Sequence, residues 1–134
     1  MSAFGFIDQV IEFKKDDSLA ACYTLTGKEE FLKDHFKNFP VMPGVLLLEM
    51  ARQAAGRLLQ LSNGSGEKNY RLVSAEEVRF GQFVRPGSQL KVSVRLLKRE
   101  AGTNQFEGRI DLMNAPFGKA LSATLAMVPV SPAL

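Results

Sequence analysis

Residues 44–61 (GVLLLEMARQAAGRLLQL) constrain this chain more than any other stretch. They contain no proline and consist mostly of good helix formers, and Pro43 just before them suits the opening of a helix, where its missing N–H would have no partner anyway. The first half is apolar nearly all round, which predicts a buried helix rather than an amphipathic surface one. Polar residues return at Arg52, Gln53, Arg57 and Gln60. One residue breaks the pattern. Glu49 sits inside Val45-Leu46-Leu47-Leu48-Glu49-Met50-Ala51, where an unpaired buried charge costs on the order of several kcal/mol. Glu49 must therefore be partnered, with Arg52 and Gln53 in reach at i+3 and i+4, or stay protonated, or face a pocket.

The rest of the chain reads as strands. Residues 4–13 end in Val10-Ile11-Glu12-Phe13, which suits a short strand, and Lys14 to Ser18 form a charged turn. Leu19, Ala21, Tyr23 and Leu25 then alternate with Ala20, Cys22, Thr24 and Thr26 until Gly27. Beyond the helix and a Ser-Asn-Gly-Ser-Gly loop at 62–66, residues 70–75 form one candidate strand. Three alternating runs follow, around Leu90–Leu96, Phe106–Leu112 and Leu121–Met127. Turns are expected at Gly102-Thr103-Asn104 and Asn114-Ala115-Pro116. One-sided alternation implies an antiparallel sheet with one face covered, and only the helix after Pro43 is long enough to cover it. The expectation is an α+β fold, with one central helix lying in a curved antiparallel sheet, as one domain over residues 1–134.

Composition narrows the function. The chain has 134 residues and a formal net charge of +3. Its basic residues are scattered, with no arginine-rich run, which argues against nucleic-acid binding. Cys22 is the lone cysteine and His35 the lone histidine, so neither a disulfide nor a transition-metal site is expected, and Cys22 reads as a buried structural thiol. With no signal-peptide pattern and no apolar run of membrane-spanning length, a cytoplasmic protein without membrane association is expected.

His35 and Glu49 suit one kind of chemistry. Elimination of water from a β-hydroxy carbonyl compound needs a base, an acid and donors for an enolate-like oxygen. His35 titrates near neutrality and can act as the base. Glu49, desolvated in an apolar helix, would hold its proton and can serve as the acid. The N–H groups of Gly44 and Val45 lie at the positive end of the helix dipole.

The stretch HFKNFPVMPGVLLLEMARQAAG resembles the signature of the (3R)-3-hydroxyacyl-acyl-carrier-protein dehydratases, the FabZ/FabA family. Its parts here are His35-Phe36, Pro40 to Gly44, Glu49 and Ala51-Arg52-Gln53, with the histidine and the acid fourteen residues apart. The likeness extends to FIDQVIEF around Asp8, to Glu29 with Phe31 and Leu32, and to VRFGQFVRPGSQL over residues 78–90. It departs at Asp34 and Lys37, where typical members carry Gly and Pro, so the chain resembles a divergent member.

The resemblance implies a hot-dog fold and two chains whose sheets join, each site taking its histidine from one chain and its acid from the other. It implies no cofactor and no metal, with the substrate carried on the phosphopantetheine of an acyl carrier protein. A homodimer is expected, and the sequence does not choose between a dimer and a trimer of dimers. By position, His35 is the base, Glu49 the acid, Gly44 with Val45 the oxyanion donors, and Phe83 and Gln53 substrate-binding residues. Arg79 and Arg85 flank the Phe83 loop as candidates to meet an acidic carrier. Glutamate at the acid position resembles the FabZ branch rather than the isomerising FabA branch. The implied reaction serves fatty-acid synthesis or a specialised acyl or polyene pathway. Two alternatives remain at this stage: a hot-dog acyl thioesterase, and a non-catalytic acyl-binding partner subunit.

Overall fold

The computed structural model describes residues 5–29, 41–63, 70–115 and 117–130. Its elements run β1 (Gln9–Lys14), β2 (Ser18–Thr24), α1 (Gly44–Asn63), β3 (Tyr70–Phe80), β4 (Gln89–Glu100), β5 (Thr103–Leu112) and β6 (Gly118–Pro129). The strands form one antiparallel sheet in the order β1-β2-β4-β5-β6-β3, which leaves β1 and β3 as edges. The helix packs against β2, β4, β5, β6 and β3, so the sheet wraps round it. This is the hot-dog arrangement expected from the sequence.

The strand alternation falls as the period-2 pattern requires. Phe106, Ile110 and Leu112 of β5 are buried with Leu121, Ala123, Leu125 and Met127 of β6 and Leu90, Val92 and Val94 of β4. On α1 the buried residues are Leu47, Met50, Ala51, Ala54, Ala55, Leu58, Leu59 and Ser62, a stripe at intervals of three and four. Each buried Leu or Met on that stripe contributes roughly 1.5–3 kcal/mol relative to exposure. The alanines let the helix lie close: a Cβ built on Gly108 of β5 would stand 3.7 Å from Cβ of Ala51.

The helix is not enclosed all round, as its apolar first half suggested. Val45 is 70 % exposed, and Leu46 and Leu48 are half-buried, because one sheet can cover only one face. Other differences have equally local causes. The β4–β5 turn is Ala101-Gly102 rather than Gly102-Thr103-Asn104, with φ of 50° and 81° at its two central residues. That pair of left-handed residues makes the two-residue hairpin turn whose twist matches the strands. Thr103 and Asn104 thus join β5, where the buried Asn104 donates to the carbonyl of Met127 at 3.3 Å. The strand expected over 70–75 continues to Phe80 through a bulge, with Glu77 at φ 51° and the register to β6 shifting between Glu76 and Arg79. Cys22 is half-buried rather than sealed in the core.

Contacts at the far end of α1 fix its position along the sheet. Ser62 Oγ accepts from the backbone N–H of Asp16 at 2.8 Å, and the Asn63 side chain donates to the Tyr70 hydroxyl.

Candidate active site

At the start of α1 the N–H groups of Leu46 and Leu47 both donate to the carbonyl of Pro43, at 3.0 and 3.3 Å. The N–H groups of Gly44 and Val45 precede them in the first turn, where a helix supplies no acceptor of its own. This end is tied to the loop after β3, because Met42 N–H donates to the Val84 carbonyl at 2.8 Å. Phe80 lies against Gly44: a Cβ added there would come within 2.7 Å of the ring. Gly44 is therefore needed for more than opening a helix. It lets an aromatic ring that is 56 % exposed rest on the backbone beside the two N–H groups.

Glu49 follows one turn later, and the next turn of the helix supplies partners to it. Arg52 Nε donates to Glu49 Oε1 at 2.6 Å and Arg52 Nη2 to Oε2 at 2.7 Å. Gln53 Nε2 donates to Oε2 at 3.0 Å. Gln53 is itself oriented by the backbone N–H of Phe6, which donates to Gln53 Oε1 at 2.8 Å. An N–H can only donate, so this bond turns the amide oxygen to Phe6 and the NH2 to Glu49. Of the sequence alternatives for Glu49, pairing at i+3 and i+4 and exposure to a pocket both hold. Its side chain is 21 % exposed and that of Arg52 25 %. The carboxylate opens on a groove of about 1130 Å³ lined by Ile7, Val45, Leu46, Leu48, Leu72 and Val130, together with polar residues. The groove reaches the first turn of the helix at Val45.

Other expected site residues lie elsewhere. Phe83 is 63 % exposed and, with Arg85, lines a separate cavity of about 390 Å³ between the 82–88 loop and Asn114-Ala115. In that loop Ser88 N–H donates to the Arg85 carbonyl at 3.0 Å across Pro86 and Gly87. Gly87 has φ 91°, the left-handed position of a Pro-Gly turn. Arg79 is exposed on edge strand β3. His35, Phe36, Pro40, Asp34 and Lys37 lie outside the described residues, as does most of the connector holding Phe31 and Leu32. Phe80 was not singled out by the sequence, since nothing local marks a ring that reaches a glycine 36 positions away.

Glu29 has a definite structural role. Its carboxylate accepts from the N–H groups of Thr26 and Gly27 at 3.0 and 2.8 Å and from the Tyr23 hydroxyl at 2.9 Å. Asp8 Oδ2 accepts from Thr24 N–H at 2.9 Å, and Tyr23 meets Phe6 edge-on with ring centroids 5.5 Å apart. Burial alone would raise the Glu29 carboxyl, but these hydrogen bonds outweigh it and hold the group below the usual carboxylate range. Burial, then the bond to Glu29, pushes the Tyr23 phenol well above its ordinary value. A depressed carboxyl stabilises the fold above its unfolded value near about 4.3, and that contribution is lost as pH falls through the folded value. Acid unfolding followed by circular dichroism should show this loss in the wild type. It should be absent from Glu29→Gln, whose stability is lower at neutral pH and flatter below it.

The fold and the site define a hot-dog domain with a carboxylate on the central helix, paired with Arg52 and Gln53 and lining a groove. The family model described as ApeI-like, ApeI dehydratase, matches residues 11–114. The 3-hydroxyacyl-[acyl-carrier-protein] dehydratase FabZ of Coxiella burnetii is 42 % identical over 109 residues, covering 79 % of this chain and 77 % of that protein. Among solved structures, the dehydratase heterocomplex ApeI:P from Xenorhabdus doucetiae superposes with a TM-score of 0.78 at 20 % identity, covering 95 % of this chain and 84 % of its own. A hypothetical thioesterase with coenzyme A from Streptococcus pneumoniae superposes with a TM-score of 0.69 at 10 % identity, over 92 % of this chain and 85 % of its own, a likeness of fold alone. The chain belongs to the ApeI-like dehydratase family, and its similarity to FabZ places it on the FabZ branch.

Proposed function

We infer that this protein is a lyase that removes water from (3R)-3-hydroxyacyl thioesters to give trans-2-enoyl thioesters. The observation that carries the inference is Glu49, a carboxylate opening on an apolar groove one turn beyond the first-turn N–H groups of α1, in a chain 42 % identical to a FabZ dehydratase. The groove can hold an acyl chain along Ile7, Leu46, Leu48 and Leu72. The thioester carbonyl would then lie at the helix start, where the N–H groups of Gly44 and Val45 stabilise the oxygen as charge develops. His35 takes the proton next to that carbonyl. Glu49 protonates the departing hydroxyl, which leaves as water. Proton gain and loss balance, so the step as written needs no redox partner and is assigned neither cofactor nor metal.

The groove is open on one side in a single chain, and β3 is an edge strand of eleven residues with backbone groups free to pair. A homodimer formed by a second copy pairing edge to edge along β3 is the assembly proposed, with each site taking His35 from one chain and Glu49 from the other. The acyl group arrives on the phosphopantetheine of an acidic carrier protein met by the exposed Arg79 and Arg85. Among the described residues no helix is long and apolar enough to cross a membrane. A cytoplasmic enzyme of fatty-acid or specialised acyl synthesis fits this.

The test offers a 3-hydroxybutyryl thioester while absorbance reports the enoyl product and a trapping reagent reports free thiol. Enoyl product without thiol is expected. Thiol release without enoyl product would make the protein a thioesterase, the reading that this fold also admits.

A further inference from the structure

The acid of the proposed reaction does not stand alone in the groove, and its principal partner is a residue the mechanism above does not use. Arg52 meets both oxygens of Glu49 in a forked pair, at 2.6 and 2.7 Å, one helical turn further on. A bidentate guanidinium–carboxylate contact fixes orientation as well as charge. Gln53, anchored on Phe6, holds one of the same oxygens from the other side. We propose that Arg52 is a positioning residue for Glu49: its guanidinium fixes the acid's rotamer in the groove and governs the pH range over which Glu49 can donate a proton.

The inference rests on the dehydratase reading of Glu49. A general acid works only while protonated, and a cation on its oxygens favours the charged form. The fork by itself therefore favours the ionised carboxylate, so an enzyme that keeps it should show its alkaline limb at lower pH than one that lacks it. The effect on the partner has the same sense, since the hydrogen bond to Glu49 raises the Arg52 guanidinium above its ordinary value. Among the described residues, the other charged groups lining the groove are Arg57 of α1 and Arg71 of β3. Both add positive potential, and neither has a hydrogen bond to Glu49. The direct fork is thus separable from the general field. The side chains of Glu49 and Arg52 are each at least three-quarters covered, so solvent screens the pair less than it would a surface pair.

The test measures kcat/KM against pH for the wild type, Arg52→Met, Arg52→Lys, Arg57→Met and Glu49→Gln, each checked for folding by circular dichroism. Arg52→Met should move the alkaline limb upward by about one pH unit or more. Arg52→Lys, a point charge without the fork, should restore part of the wild-type position, and Arg57→Met should move it much less. If Arg52→Met does not fold, Arg52→Gln serves as the uncharged variant with the same expectation. An uncharged variant whose profile superimposes on the wild type, while Glu49→Gln is inactive, overturns the role of Arg52 and leaves Glu49 as the acid. Near-normal activity of Glu49→Gln overturns the assignment of the acid and this inference with it.

Discussion

Glu49→Gln should lower dehydration of a 3-hydroxyacyl thioester, and the reverse hydration of crotonyl thioester, by about 10²–10⁴-fold, the range associated with one general acid. Glutamine keeps the size of the side chain and its carbonyl oxygen, which can still accept from Arg52. The transferable proton is removed, together with the charge and one of the two accepting oxygens. The fold should survive, because Arg52 is 25 % exposed and water can take up its freed N–H groups. A melting temperature close to wild type together with lost turnover separates a chemical role from a structural one. His35→Ala should be as inactive, and mixing the two inactive variants should restore part of the activity. In the proposed homodimer, each mixed pair holds one intact site, with His35 from one chain and Glu49 from the other. Loss without recovery on mixing argues that both groups come from the same chain.

Gly81→Ala should be the most destabilising single methyl group added to the described strands and loops. A Cβ at Gly81 would stand 2.1 Å from the carbonyl oxygen of Lys119, inside any allowed contact, and that oxygen is backbone held in register. Gly81 N–H donates to Ala120 O at 3.0 Å and Gln82 N–H to Lys119 O at 2.9 Å, so the clash falls where the end of β3 closes onto β6. Overpacking against movable side chains costs about 1–3 kcal/mol, and a backbone obstacle leaves fewer ways to relax. A fall in melting temperature of roughly 10 °C is expected. Activity should fall further than stability, because the displaced segment carries Phe80 onto Gly44 and Val84 onto Met42. Gly56→Ala is the contrast: nothing lies within 4 Å of its Cβ, and in mid-helix it should add about 0.5–1 kcal/mol. Equal melting temperatures for the two variants would contradict this packing.

Much of this was legible in the sequence because periodicity reports one-sided burial. The helix after Pro43 and the alternating runs of β4, β5 and β6 stand where the residues indicate, since each has one face in the core. The second half of β3 was not legible. Glu76 and Glu77 interrupt the alternation on an edge strand, and the bulge that accommodates them leaves no local signature. At the site, the sequence marks Glu49 as anomalous and names Arg52 and Gln53 as reachable partners. It does not decide between pairing and protonation. The anchoring of Gln53 by Phe6 joins residues 47 positions apart, and only the folded sheet brings them together. The same holds for Phe80 on Gly44, 36 positions apart in the chain.

The most direct measurement is mass spectrometry of an acyl carrier protein loaded with a (3R)-3-hydroxyacyl group, before and after incubation with the purified protein. The predicted result is loss of one water from the acyl group with the thioester to the carrier intact, for the wild type and not for Glu49→Gln. Release of the bare carrier thiol, or a hydroxyacyl group unchanged by the wild-type protein across a panel of chain lengths, would contradict the proposed function.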